Sequence, residues 1–143
     1  MSELSQLVET HYAAVNNGDV EGAAAVMADD IDNVFPGAGK VPGKDGFRMF
    51  TEPFFKAFPD ARIEVAGQVE SGDTIVTEGV YSGTHTGVLA SPQGEIPPTG
   101  KTIDLHFCDV FQVSGGKAIA HRLYFDNVEF LSQLGLMPAP AAS

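Results

Sequence analysis

The chain has 143 residues, 43% of them hydrophobic, with 8 Lys+Arg against 19 Asp+Glu for a formal net charge of −11. That length favours one domain, and that charge argues against nucleic-acid and anionic-membrane partners, which need clustered basic groups. No apolar run reaches the ~20 residues of a membrane span, and the single cysteine, Cys108, excludes an internal disulfide.

Leu4, Leu7, Val8, His11, Tyr12 and Val15 recur at helical spacing. They predict an amphipathic first helix, capped by Ser2 and stopped at Gly18. Asp19 can cap a second, alanine-rich helix running to about Met27. Ile31 to Phe35 is a short extended stretch, and Pro36 to Gly43 is turn chemistry. A third helix is expected over about Lys44 to Phe58, with Phe47, Phe50, Phe54 and Phe58 on one face. Pro53 should kink or break it.

After Pro59-Asp60 the period becomes two. Ile63, Val65 and Val69 alternate with polar residues, which predicts a half-buried strand. Ser71-Gly72-Asp73 is a hairpin turn, and Thr74 to Thr86 is a long strand. Gly87 to Gly100 reads as a long irregular connection of the kind that forms lids. Lys101 to Val113 is the strongest strand, Ser114-Gly115-Gly116 its turn, and Lys117 to Phe125 its partner. Val128 to Leu134 forms a last short helix, and residues 138–143 a flexible tail. Helices first, then hairpin-connected strands, make one α+β domain over residues 1–137, with the helices on one face of a curved antiparallel sheet.

Asp109 is the most informative side chain. Ile103, Leu105, Phe107, Asp109, Phe111 and Val113 share one strand face, so a carboxylate interrupts an apolar row. Burial there is costly unless the group is paired or protonated, a setting that suits a general acid or base. A local bulge or a structural hydrogen bond is the plain alternative. Alternation groups Asp126 with Ala120, Arg122 and Tyr124, yet Asp126-Asn127-Val128-Glu129 also fits a helix N-cap. His85 shares parity with Ile75 and Tyr81, between Gly83 and Gly87, and reads as a structural or a site histidine. His11 lies on the apolar face of the first helix, where most histidines are core residues.

Asp104, His106 and Cys108 alternate on the opposite strand face, with His121 on the neighbouring strand. They have no close ligand spacing, so no metal is expected. Gly39 to Lys44 fails as a phosphate loop, because Pro42 removes an amide donor and Asp45 replaces the hydroxyl residue. The phenylalanine stripe is core, or the wall of an apolar cavity.

Asn17-Gly18-Asp19, Ala28-Asp29-Asp30, Phe58-Pro59-Asp60, Gly83-Thr84-His85-Thr86-Gly87, Pro98-Thr99-Gly100-Lys101, Gly116-Lys117, Tyr124-Phe125-Asp126 and Gln133-Leu134-Gly135-Leu136 occur in this order. Together they resemble the SnoaL-like branch of the nuclear transport factor 2-like superfamily, over about residues 4 to 137. The resemblance implies a cone-shaped α+β barrel, a homodimer joined through the sheet, and an apolar pocket behind the first and third helices. It implies Asp126 as the acid/base and His85 as a site histidine; where cyclases carry another histidine, this chain has Asp109. Pocket-lining roles are expected for His11, Tyr12, Asn33 and Phe35, and for Phe50, Phe54, Phe107 and Tyr124.

The expected function is cofactor-independent acid/base chemistry on a small apolar carbonyl compound, most like a polyketide ring closure. Asp126 would abstract the proton, His85 would hold the enolate oxygen, and Asp109 would orient or protonate the ligand. A binding module without catalysis, or an isomerase or hydratase using the same residues, are the alternatives. Glu3 and Glu9 stand where a secretory leader would be basic or apolar, so a reducing cytoplasmic setting is expected.

Overall fold

The computed structural model describes residues 2–91 and 94–137; the expected tail lies outside them. Ser2 accepts a hydrogen bond from the Ser5 amide and starts α1 (Glu3–Asn16), which buries Leu7, Val8, His11, Tyr12 and Val15 as its spacing requires. Asp19 caps α2 (Val20–Ala24) through the Gly22 amide. This helix is shorter than expected. Met27 already belongs to strand β1 (Met27–Phe35), which antiparallel β2 (Gly39–Lys40) borders.

Helix α3 (Gly43–Ala57) follows. It continues through Pro53, so the expected break is not seen. Phe47 is buried, and Phe50 and Phe54 are partly buried on its inner side. The remaining strands are β3 (Arg62–Ser71), β4 (Thr74–Thr84), β5 (Leu89–Ser91), β6 (Gly94–Ile96), β7 (Thr102–Ser114) and β8 (Lys117–Tyr124), before α4 (Asn127–Gln133). β5 and β6 form a small hairpin within the segment expected to be irregular.

The other six strands make one curved sheet in the order β2-β1-β8-β7-β4-β3. Its neighbours are antiparallel except β1 and β8, which run parallel. The α+β expectation holds, with that one parallel pair added by the return of the chain from β1 through α3. The core lies in two parts. One joins α1, α2 and α3 to β1, β4, β7 and β8 around Val8, Phe35, Phe47 and Phe111. The other joins the end of α3 to α4 around Phe58, Leu105 and Phe130.

The ladder between β4 and β7 is unbroken from Thr74–Gln112 to Thr84–Thr102. Inward and outward residues therefore alternate along β7 as the sequence indicates. Two other ladders are interrupted. Between β3 and β4, Val65 pairs with Gly79 but Gly67 pairs with Glu78, leaving Ala66 as an extra residue. Between β7 and β8, Val113 pairs with Ala118 but Gln112 pairs with Ala120, leaving Ile119 as an extra residue. Each is a β-bulge, and each reverses the facing of every residue beyond it. Val69 consequently points outward and is 69% exposed, against the expectation of a half-buried strand. Gln68 points inward and reaches Thr77.

Candidate active site

An apolar cavity of ≈ 100 Å³ lies between the sheet and helices α1 and α3. Phe47, Phe50, Phe54 and Phe55 of α3 form one wall, and Leu105, Phe107, Leu123 and Phe125 of the sheet form the other. The polar residues reaching it are His11, Thr51, Tyr81, Asp109 and His121.

Asp109 is 4% exposed and inward-facing, as the alternation of β7 requires. Its Oδ2 accepts the Tyr12 hydroxyl at 2.6 Å, and its Oδ1 lies 2.7 Å from His121 Nε2. Two charge-assisted hydrogen bonds satisfy the buried carboxylate. In a neutral His121 ring, an Nε2–H donated to Asp109 leaves the lone pair on Nδ1. That Nδ1 is buried and has no hydrogen-bond partner among the described residues. The His121 ring is stacked on Phe111, with centroids 4.2 Å apart, and meets Phe35 edge-on at 5.3 Å. Its orientation is fixed on both sides.

Tyr12 keeps its proton. Burial and the Asp109 charge push the phenol far above its usual range, while a hydrogen bond from Thr77 acts the other way. Thr77 is fully buried opposite Asp109 and receives the Gln68 amide at 3.2 Å. Gln68 thus bonds Thr77, and Asp109 bonds both Tyr12 and His121. Both bulges contribute to these contacts, one by turning Gln68 inward and the other by turning His121 inward.

His11 is a neutral companion. Its Nδ1 donates to the Ala23 carbonyl at 2.8 Å. Burial first, and then the nearby His121, lower its pKa to about 4. The two imidazole centroids lie 6.2 Å apart.

The other expected residues separate. Phe50, Phe54 and Phe107 line the cavity with His11 and Asp109. Phe35 stands behind it, stacked on Phe50, and Tyr12 supports it from behind Asp109. Asn33 is fully buried but acts elsewhere, donating to the Val41 and Gly43 carbonyls and so holding the start of α3. Tyr124 is 52% exposed on the outer sheet face.

Asp126 does not face the cavity either. It is exposed, and its Oδ1 accepts the Val128 and Glu129 amides as the N-cap of α4. The expectation that placed Tyr124 and Asp126 inside is corrected by the Ile119 bulge, which turns His121, Leu123 and Phe125 inward instead. The signal was present in composition. His121, Leu123 and Phe125 are the more apolar alternating set, and Arg122, Tyr124 and Asp126 the more polar one.

His85 is fully buried outside the cavity lining. Its Nδ1 accepts the Thr99 amide, its ring lies against Phe58, and its backbone bonds both Lys101 and Gly100. It anchors the base of the β5–β6 hairpin to the second core cluster. Burial lowers its pKa. Gly87 lets this segment approach α3, since a Cβ there would collide with the Lys56 carbonyl. Among the described residues no group of three His, Cys, Asp or Glu side chains could hold a metal ion, and no helix is long and apolar enough to cross a membrane.

The sequence matches the SnoaL-like polyketide cyclase family over residues 5–134. No curated protein is detectably similar to it. Among solved structures it is similar to wild-type IdmH from Streptomyces antibioticus, a proposed polyketide cyclase. The two share 29% identity over 92% of this chain and 97% of that one, with a TM-score of 0.76. AclR from Streptomyces galilaeus, a proposed hydroxylase, matches at 24% identity over 97% of this chain and 89% of its own, with a TM-score of 0.83. An NTF2-like protein of unknown function from Burkholderia pseudomallei matches at 23% identity over 94% and 98% of the two chains, with a TM-score of 0.77. The last two show the fold alone. The chain belongs to the SnoaL-like polyketide cyclase family.

Proposed function

We propose that this member of the family is an acid/base enzyme acting on an apolar carbonyl compound, with His121 as the base and Asp109 as its positioning partner. The observation that carries the reading is the 2.7 Å contact of His121 Nε2 with Asp109 at the wall of an apolar cavity. With Nε2–H donated to Asp109, the Nδ1 lone pair can take a proton from a carbon beside a carbonyl. The C–H electron pair becomes the enolate. The imidazolium that forms faces the Asp109 carboxylate, whose charge stabilises it strongly where water is excluded. The enolate carbon attacks a second carbonyl of the same ligand. A C–C bond closes the ring, and Nδ1 returns its proton to the new alkoxide. The reaction as written is an intramolecular aldol ring closure, and it consumes no group from outside the chain. An isomerisation shares its first step and returns the proton to a different carbon.

His11 is uncharged at neutral pH, so a positive charge on His121 meets no second cation across the cavity. Asp126 retains a capping role in this reading and His85 a structural one.

Exchange of the α-protons of 2-tetralone in D₂O, followed by proton NMR, tests the first step without knowledge of the natural ligand. The wild-type protein should accelerate exchange, and His121→Gln should slow it by about 100-fold or more. Unchanged exchange in that variant removes His121 from the chemistry. A wild-type protein that binds 2-tetralone and exchanges nothing is a ligand-binding module instead.

A further inference from the structure

Tyr81 lines the cavity beside Leu105 and Phe125, where the two core clusters meet. Its ring packs edge-on against Phe58, with centroids 6.3 Å apart. Tyr12 commits its hydroxyl to Asp109, whereas the Tyr81 hydroxyl has no hydrogen-bond partner among the described residues. Burial, and next the Asp60 charge, push this phenol upward as well, so it stays a neutral donor. A donor that no protein group occupies is free to bond a ligand, and such a bond contributes to affinity.

Strand register places this donor relative to the base. Tyr81 pairs with Leu105, and Thr77, four residues back, pairs with Asp109. At ~3.4 Å per residue that is about 14 Å along the strands. His121 lies further in the same direction, opposite Phe111. Most of the remaining lining is phenylalanine and leucine. His121, whose Nδ1 has no partner among the described residues, therefore lines the cavity toward one end, and Tyr81 lines it toward the other.

We propose that the Tyr81 hydroxyl is the second anchor of the cavity, donating a hydrogen bond to a ligand carbonyl at the end opposite His121. The site then takes an elongated apolar molecule with an acidic O–H or C–H at one end and a carbonyl oxygen at the other. The two ends also fix direction. A reversed ligand would set its carbonyl oxygen against the Nδ1 lone pair, acceptor against acceptor. This inference rests on the reading of the cavity as a ligand site, and it adds the class of ligand.

Two fluorescent probes test it. 6-Acetyl-2-naphthol carries a hydroxyl and a carbonyl at opposite ends, and 6-isopropyl-2-naphthol has nearly the same shape without the carbonyl. Tyr81→Phe keeps the ring that packs on Phe58, and an unchanged thermal melt confirms the fold. The variant should bind the acetyl probe about tenfold more weakly and the isopropyl probe within about twofold of wild type. An equal effect on both probes, or none on either, overturns the anchor and leaves the His121 reading standing. Failure of wild-type protein to bind either probe overturns the ligand site and the anchor together.

Discussion

At the scale of single residues the site turns on one carboxylate with two partners. Asp109 gives one oxygen to Tyr12 and the other to His121. Asp109→Asn keeps the size but offers an N–H where His121 needs an acceptor, or leaves the ring free to take the other tautomer. The variant should exchange 2-tetralone protons about 100-fold or more slowly than wild type, with little change in ligand affinity. A large loss of affinity with an unchanged exchange rate would make Asp109 a binding group instead.

His11 makes a separate prediction about stability. Its pKa is about 4 in the folded protein, against 6.5 when unperturbed. A lowered histidine pKa means that the unfolded chain binds the proton more tightly. The contribution is intact above pH 6.5 and is lost as pH falls from 6.5 to 4, about 3 kcal/mol in all. The lowered pKa of His85 steepens the same slope. Urea denaturation between pH 7 and pH 4 should show this decline, and His11→Gln should flatten it. An identical slope in that variant would place the titration elsewhere. Asp109 could be picked out in the sequence because its strand alternates without interruption. The role of Tyr12 was harder to see, because its partner lies 97 positions away and helical spacing reports only that Tyr12 is inside.

At the scale of elements the bulges decide which side chains meet. Ile119 in β8 and Ala66 in β3 are each one residue too many for their ladders. Bulges of this kind re-aim side chains beside functional sites. Neither residue has a local signature, so continued alternation only groups Asp126 with Ala120, Arg122 and Tyr124, and the family resemblance is what assigns it a site role. Gly79 is the sign of the β3 bulge that the structure makes visible. A Cβ there would collide with the Glu64 carbonyl and crowd Phe107. Gly79→Ala should destabilise the fold by about 1–3 kcal/mol, read as a shift of the urea midpoint. A neutral result would mean that the β3 backbone can give way. Asp126→Ala should cost about 1 kcal/mol through α4, and Asp126→Asn much less, because Asn caps equally well.

At the scale of the molecule the sequence was a good guide to architecture. Helical spacing located α1 and α3, and hairpin turns at Gly72 and Gly115-Gly116 set the order of β3, β4, β7 and β8. The parallel pairing of β1 with β8 was not legible, since it joins segments about 90 residues apart. Strand register also brings Val69, Val76 and Val110 side by side on the outer sheet face, where Tyr124 is exposed too. We propose that a second copy covers this face, as the family resemblance implies. Size-exclusion chromatography with light scattering should give about twice the 15.1 kDa chain mass, and Val76→Glu with Val110→Glu should return the monomer. A wild-type monomer at micromolar concentration would contradict the dimer.

The central claim is that the Ile119 bulge hands the base role from Asp126 to His121. The most direct measurement is 2-tetralone proton exchange in His121→Gln and Asp126→Asn, side by side under one condition. The structure predicts a loss of about 100-fold or more in the first and a rate within about twofold of wild type in the second. A large loss in Asp126→Asn with His121→Gln near wild type would contradict it, and would return the chemistry to the carboxylate at the start of α4.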